Sequence, residues 1–188
     1  MMKKLIYLFL VPILLISCNS SDDTDDFNDN SNLDGPYISA TVNGEPFLAA
    51  PVDSGMFLLN ATLTETESFF SFFIYGVEFF DSTSFQGVTV AFFGEDFNTV
   101  SAGFEIVNDE NIEQDYTFGG YYDLVTANEE EEDFSMETDD GYFKITSIDK
   151  VAKVISGEFS YTVTDLISGN TFEITEGVFN ELNYTVVQ

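Results

Sequence analysis

Histidine, arginine and tryptophan are absent from this chain of 188 residues, and cysteine occurs once. Without histidine the sequence cannot supply a Ser-His-Asp or Cys-His catalytic group, or an imidazole ligand for zinc or copper. Without arginine it lacks the planar fork that binds phosphate and carboxylate through two points. These absences favour a protein that is not an enzyme. We expect no cofactor, with an oxygen-ligated ion such as Ca²⁺ as the one plausible exception.

Positive charge is also scarce. Two of the five lysines lie in the first 17 residues, so residues 18–188 carry three lysines against 34 acidic residues, a formal net charge of −31. Repulsion of this size argues against nucleic acid or an anionic lipid surface as a partner. It favours solubility, and it also suits divalent cations or cationic ligands.

The N-terminal segment has the three parts of a secretory signal peptide. Two lysines precede an apolar stretch at 5–16, and the small residue Ser17 stands before Cys18. The apolar stretch is shorter than the roughly 20 residues that span a bilayer. We therefore predict a signal peptide at 1–17 that is cleaved between Ser17 and Cys18. The alternative is an uncleaved signal anchor.

The tetrad Leu15-Ile16-Ser17-Cys18 resembles the lipobox of bacterial lipoproteins. The resemblance implies that the Cys18 thiol receives a diacylglycerol and that the new amino terminus is acylated. Each buried CH₂ of an acyl chain contributes about 0.8 kcal/mol to membrane binding, so several chains hold a protein firmly. Lipidation also explains a lone cysteine, which cannot form a disulfide within the chain. The predicted partner of this end is a membrane, reached through a lipid anchor.

The residues after Cys18 resemble the acidic surface-export tag of Bacteroidota lipoproteins. The serine and aspartate residues of the tag are Ser20, Ser21, Asp22, Asp23, Asp25 and Asp26. The resemblance implies an outer-membrane location on the cell-surface side. The alternative is a plain acidic tether that faces the periplasm, because a charged segment extends by self-repulsion. Residues 18–35 hold few apolar side chains, and we predict a flexible tether there.

Residues 36–188 contain about eight to ten short β-like runs separated by turn residues. Asn43-Gly44, between the first two runs, predicts a type I′ hairpin turn because both residues tolerate a positive φ. Around Phe159 apolar and polar residues alternate, which is typical of a half-buried strand. No helical period extends over ten residues. The pattern predicts a single all-β domain, an antiparallel sandwich or a barrel.

The segment 69–75 is apolar on both strand faces. Its odd positions include Phe69, Phe73 and Tyr75, and its even positions are Phe70, Phe72 and Ile74. Side chains alternate between the faces of a strand, so we expect both faces to be covered. Either the segment is a central strand of a two-layer core, or one face lines a cavity for an aromatic or apolar ligand.

Two spots rich in oxygen ligands are weak calcium candidates. The first comprises Asn30, Asn32 and Asp34. These match the alternating ligands of an EF-hand loop, but Thr41 stands where that loop needs a bidentate glutamate. The second comprises Asp139 and Asp140, where a turn at Asp140-Gly141 is the stronger interpretation because a β-run follows. The acidic run at 129–133 indicates a solvated loop, or alternatively one that docks a cation or a protein.

Paired carboxylates can hydrolyse a glycosidic bond without histidine. With 34 acidic residues, such pairs arise by chance. A catalytic pair also needs one carboxyl whose pKa is raised by its surroundings, which no sequence pattern reveals. A carboxylate-based hydrolase is therefore the weakest alternative.

The lipobox, the acidic tag and the stretch ATVNGEPF at 40–47 are similar to small flavobacterial-type lipoproteins that share an uncharacterised domain, domain of unknown function 6252. The similarity continues in Phe143–Thr146, Ile155–Tyr161 and Ile174–Phe179, whereas 76–135 matches only loosely. The resemblance implies a calycin-like barrel or a sandwich on a lipid anchor, and it transfers no catalytic residue. We expect a surface-exposed domain that binds a ligand or an envelope protein. The alternative is a structural envelope protein without a ligand.

Overall fold

Eleven β-strands and one short 3-10 helix account for the regular structure in a computed structural model that describes residues 33–51, 56–108, 115–123 and 136–187. The strands are β1 (Tyr37–Val42), β2 (Glu45–Ala49), β3 (Met56–Glu65), β4 (Phe70–Phe79), β5 (Phe85–Gly94), β6 (Glu105–Val107), β7 (Tyr116–Asp123), β8 (Met136–Asp149), β9 (Val154–Asp165), β10 (Thr171–Asn183) and β11 (Thr185–Val187). The 3-10 helix covers Phe97–Thr99. Within these ranges no helix is long and apolar enough to cross a bilayer.

Several predictions concern residues outside the described ranges. These are the signal peptide, lipidation at Cys18, the export tag at 20–26, the calcium ligands Asn30 and Asn32, and the acidic run at 129–133. They stay predictions.

The strands form two sheets that pack face to face. The first sheet has the order β2-β1-β10-β9-β8-β6, and the second has the order β11-β3-β4-β5-β7. Every pairing is antiparallel except that of β11 with β3, which is parallel. A barrel requires the edge strands of its sheet to pair and close, and no such pairing joins the two sheets across the described strands. The all-β prediction is confirmed, and the architecture is a sandwich rather than a barrel.

Aromatic rings fill the space between the sheets. Phe72 and Phe92 stack within the second sheet with centroids 5.1 Å apart, and Phe92 stacks on Phe143 of the first sheet at 4.4 Å. Phe143 in turn stacks on Phe179 at 5.6 Å. All four side chains are fully buried. The described residues between the two sheets thus form a packed aromatic core.

The first hairpin forms as predicted. Asn43 has φ 51° and Gly44 has φ 85°, as a type I′ turn requires. The turn is also fixed to β10, because the Asn43 N–H donates to Glu173 O at 2.9 Å and the Glu173 N–H donates to Asn43 Oδ1 at 2.8 Å. A local sequence signal was sufficient at this position because the turn chemistry and the tertiary contact agree.

The predicted turn at Asp140-Gly141 is wrong. Both residues lie inside β8, where the register against β9 shifts between Asp139 and Tyr142. Asp140 has φ 49°, so the pair forms a bulge within a long strand rather than a turn before one. Among the described residues, no group of three or more acidic side chains is placed so that it could hold a metal ion. The calcium candidates Asp34, Asp139 and Asp140 stay predictions.

Candidate functional site

The outer face of the second sheet carries no charge on its four long strands. Its outward positions are the even-numbered residues of β3 and β7 and the odd-numbered residues of β4 and β5, and none of them is Asp, Glu or Lys. The outer face of the first sheet, by contrast, presents Lys144, Glu158 and Glu173. An outward sheet face is normally polar. An uncharged one is exceptional on a chain with 34 acidic residues.

The aromatic segment at 69–75 lies largely in β4, a central strand of the second sheet. Its even side enters the core, where Phe70, Phe72 and Ile74 are buried. Its odd side faces outward, and Phe73 keeps 40% of its surface exposed. The expectation that both faces are covered is therefore wrong, because only one face of this strand meets the other sheet.

A groove crosses this outer face along β5. Its volume is about 490 Å³. The outward residues that line it are Tyr75, Val77, Phe85, Gly87, Thr89, Phe118, Gly120 and Tyr122. The pairing register sets them in rows, with Tyr75 opposite Thr89 and Thr89 opposite Gly120. Large side chains of β4 and β7 thus form two walls. The floor consists of Gly87 and Thr89 on β5, together with Gly120, which leaves a gap in the β7 wall between Phe118 and Tyr122.

Two glycines in the floor are not explained by packing. A Cβ placed on Gly87 would meet Gly76 O at 3.4 Å, and one on Gly120 would meet Thr89 Cβ at 3.8 Å, both ordinary contacts. Neither glycine has a positive φ. At Gly119, in contrast, a Cβ would lie 2.2 Å from the ring of Tyr161. Glycine weakens a strand, and inside one it often marks the close approach of a ligand. Gly87 and Gly120 keep the groove open.

The width of the groove limits what can enter it. Its walls stand on β4 and β7, which are two strand spacings apart across β5, or about 10 Å. A ligand that contacts both walls at about 3.5–4.0 Å needs 7–8 Å between them. One layer of atoms, such as a single ring, fits between the walls.

Two hydroxyl groups are available to such a ligand. Thr89 presents its hydroxyl from the floor and Tyr75 presents one from the wall, and both residues are half-buried. Neither hydroxyl has a hydrogen-bond partner among the described residues, and no buried polar side-chain atom there is left unpaired. Both hydroxyls therefore reach solvent and can bond to a ligand.

Tyr161 supports the floor of the groove from inside the core. Its hydroxyl lies 2.8 Å from Thr89 O and 2.8 Å from Gly120 O, two backbone oxygens of the floor. Burial raises the pKa of Tyr161, so the hydroxyl keeps its proton and donates to one of these oxygens at a time. No pattern in the sequence identified Tyr161 as a residue of the site. The glycines at 87, 119 and 120 within β-runs were the available signal.

A second aromatic cluster lies at the other end of β5, and we call it the aromatic ladder. It consists of Phe69, Phe73, Phe93 and Tyr116. Phe93 stacks on Tyr116 with centroids 4.4 Å apart and on Phe69 at 6.1 Å, and it meets Phe73 edge-on at 5.6 Å. Phe69 and Phe73 are each 40% exposed and Tyr116 is 38% exposed. The ladder and the groove share one uncharged face.

None of the residues that line the groove is acidic. Burial, followed by the charges of Asp123 and Glu78, raises the pKa of Tyr121, whose backbone also borders the groove. Burial, followed by the charge of Glu95, raises the pKa of Asp115, which lies beside Gly94. Hydrogen bonds within turns lower the pKa of three other carboxyls, those of Asp81, Asp96 and Asp165. None of these four carboxyls lines the groove.

No family model, no curated protein and no solved structure matches this chain. The resemblance to flavobacterial-type lipoproteins with domain of unknown function 6252 therefore stays a prediction.

Proposed function

We propose that this protein is a lipid-anchored protein of the outer membrane, on the cell-surface side, and that it binds an uncharged ligand in the groove on its second sheet. The observation that carries the proposal is the floor formed by Gly87 and Gly120 between aromatic walls. Packing and backbone conformation do not require glycine at either position. Binding of a ligand gives a reason for both.

The membrane part of the proposal rests on the sequence. A signal peptide at 1–17, the lipobox cysteine Cys18 and the acidic tag at 20–26 together support export and anchoring. The tether at 18–35 then separates the sandwich from the membrane, so that the groove is accessible to molecules outside the cell.

A structural envelope protein without a ligand is the second candidate. The aromatic ladder favours it, because a flat exposed apolar patch suits contact with another protein. The groove favours ligand binding, because it is concave and combines apolar walls with available hydroxyls. The two candidates differ in one expectation: only the ligand-binding protein should lose binding of a small molecule when the groove is blocked.

Valine substitution in the floor tests the proposal. Gly120→Val and Gly87→Val add branched side chains that suit a strand, so the fold should persist while the groove fills. The full-length lipidated protein, in detergent micelles, is mixed with indole or cyclohexanol, and saturation transfer to these ring compounds is measured by NMR after subtraction of empty micelles. We expect the transfer to fall several-fold in both variants.

The control is Ser160→Val, which adds similar bulk to the outer face of the first sheet. It should leave the transfer unchanged. Equal transfer to the wild type and to both floor variants, with their melting temperatures preserved, would show that the groove is not a binding site.

A further inference from the structure

We infer that the ligand is an uncharged glycan chain, which places one sugar ring in the groove and extends along β5 over the aromatic ladder. The inference rests on the proposed function and adds the class of the ligand. Three properties of the face lead to it: its lack of charge, its pairing of aromatic walls with hydroxyl groups, and its length.

The negative charge of the protein argues against a polyanion as the ligand. The face itself is uncharged, while residues 18–188 carry a net charge of −31. A nucleic acid, an acidic polysaccharide or an anionic lipid surface would approach against that potential. A second copy of this chain would bring the same charge and be repelled as well. An uncharged molecule meets no such barrier.

The chemistry of the groove fits a sugar ring better than a hydrocarbon. A pyranose ring presents C–H groups on its faces and hydroxyls around its edge. The C–H groups suit the negative faces of aromatic walls such as Tyr75, and the hydroxyls can bond to Thr89 Oγ1 and to the Tyr75 hydroxyl. An acyl chain would cover these two hydroxyls without a partner, which costs free energy. The width of the groove also limits the ligand to a single ring layer.

The length of the face fits a chain of rings. Gly87 in the groove and Phe93 in the ladder are six residues apart on β5, a distance of about 20 Å. Between them Phe73, Ala91 and Phe118 occupy one row of the register, so that the apolar surface is continuous. A single ring would fill only the groove and leave the ladder uncovered. A linear polymer can cover both.

Native gel electrophoresis in the presence of polysaccharides tests this inference. The full-length lipidated protein in mild detergent is run through gels containing soluble starch, laminarin or galactomannan as uncharged probes, with alginate as an anionic probe. We expect at least one uncharged polymer to retard the protein and alginate to have no effect. Gly120→Val should abolish the retardation.

Two further variants test the Thr89 hydroxyl and the aromatic ladder separately. Thr89→Val removes a hydroxyl at constant shape and should weaken binding about fivefold, the effect of one hydrogen bond. Thr162→Val, on the outer face of the first sheet, is its matched control and should change nothing. Phe93→Ala should weaken binding of the polymer while leaving saturation transfer to methyl α-glucoside, which is a single ring, unchanged.

The outcomes distinguish this inference from the proposed function. If indole binds in the groove but no uncharged polysaccharide retards the protein, the glycan inference is wrong and the groove remains a binding site. Retardation that survives Gly120→Val also overturns the inference, because the polymer then binds elsewhere. If saturation is transferred to the acyl chains of dihexanoylphosphatidylcholine, a lipid that is soluble as a monomer, and Thr89→Val has no effect on this transfer, the ligand is a lipid. If neither floor variant loses indole binding, the proposed function itself is wrong.

Discussion

The side-chain amide of Asn108 pairs with both backbone polar groups of Thr117. Asn108 Nδ2 donates to Thr117 O at 2.7 Å, and the Thr117 N–H donates to Asn108 Oδ1 at 3.0 Å. Two residues further along β7, Thr138 Oγ1 accepts from the Gly119 N–H at 3.0 Å and donates to Gly119 O at 2.9 Å. Side chains thus occupy polar groups on the edge of β7 that another strand would otherwise use. Such an edge resists pairing with a second chain.

Asn108→Ala should destabilise the protein by about 2–3 kcal/mol. The substitution leaves the N–H and C=O groups of Thr117 without a side-chain partner. Because Thr117 is buried, water does not replace the lost hydrogen bonds, and the folded state loses free energy. Urea denaturation measures the free energy of unfolding. Asn183→Ala, at an exposed position of β10, is the control and should cost less than about 0.5 kcal/mol. Equal effects of the two substitutions would mean that the pairing adds nothing to stability.

Tyr161→Phe should weaken both stability and binding. Phenylalanine cannot donate to Thr89 O or Gly120 O, and the loss of one buried hydrogen bond costs about 1 kcal/mol. Because both oxygens belong to the floor, saturation transfer to indole should also fall. Tyr142→Phe is the control, since its hydroxyl lies on the outer face of the first sheet, 3.5 Å from Glu105 Oε2. A stable Tyr161→Phe variant with unchanged binding would contradict the supporting role of this residue.

Asp81 should give the protein an acid-sensitive contribution to stability. Hydrogen bonds from Ser84 and Thr83 lower the pKa of Asp81 from 3.8 to about 2. A lowered pKa stabilises the folded state above the unfolded value, and this stabilisation is lost as the pH falls through the folded value. The difference in melting temperature between the wild type and Asp81→Asn should therefore be constant above about pH 5 and should shrink between pH 4 and pH 2.

The matched control for this pH series is Ser82→Ala. Ser82 lies in the same turn, is exposed and makes no hydrogen bond within the described chain. Its difference in melting temperature from the wild type should not change with pH. A difference for Asp81→Asn that stays constant down to pH 2 would show that the turn does not hold this carboxylate.

Cys18→Ala should abolish lipidation. The thiol is the predicted acceptor of diacylglycerol, and no other cysteine can replace it. Cells grown with an alkyne-bearing fatty acid, followed by coupling to a fluorophore, should label the wild type and leave the variant unlabelled. Cys18→Ser is a near-isosteric control that should behave like the alanine variant. Persistent labelling of either variant would exclude Cys18 as the lipid attachment site.

Deletion of residues 20–26 should keep the protein lipidated but remove it from the cell surface. The lipobox remains intact in this variant, whereas the acidic tag is gone. Protease added to intact cells should digest the wild type and spare the deletion variant, while both should be digested after lysis. A control that replaces the same residues with a Gly/Ser segment of equal length distinguishes an effect of the lost acidic residues from an effect of the shorter tether. Equal digestion of all three on intact cells would rule out the tag.

Local signals in the sequence predicted the fold well where chain neighbours decide it. The type I′ turn at Asn43-Gly44, which joins β1 to β2, follows from turn chemistry. The same rule failed at Asp140-Gly141, because a positive φ serves a bulge as well as a turn. Only the pairing of β8 with β9, through residues distant in sequence, distinguishes the two.

The candidate site was only half predictable. Alternation in the segment 69–75 identified two apolar faces, but it could not tell that Phe73 would face solvent while Phe72 entered the core. The groove needs Tyr75 from β4, Thr89 from β5 and Gly120 from β7 side by side. That register depends on two separate strand pairings, β4 with β5 and β5 with β7, and no local pattern encodes it.

The sequence by itself determined the all-β class and the acidic character of this protein. It also supplies the signal from which export and lipidation at Cys18 are predicted, because targeting and turn formation depend on short contiguous segments. Tertiary structure alone decided between sandwich and barrel and left one aromatic face outward. It also placed the glycines at 87 and 120 beneath the aromatic walls. The physical reason is that sheet closure and the sharing of a face depend on contacts between distant strands, whose energies no single segment contains.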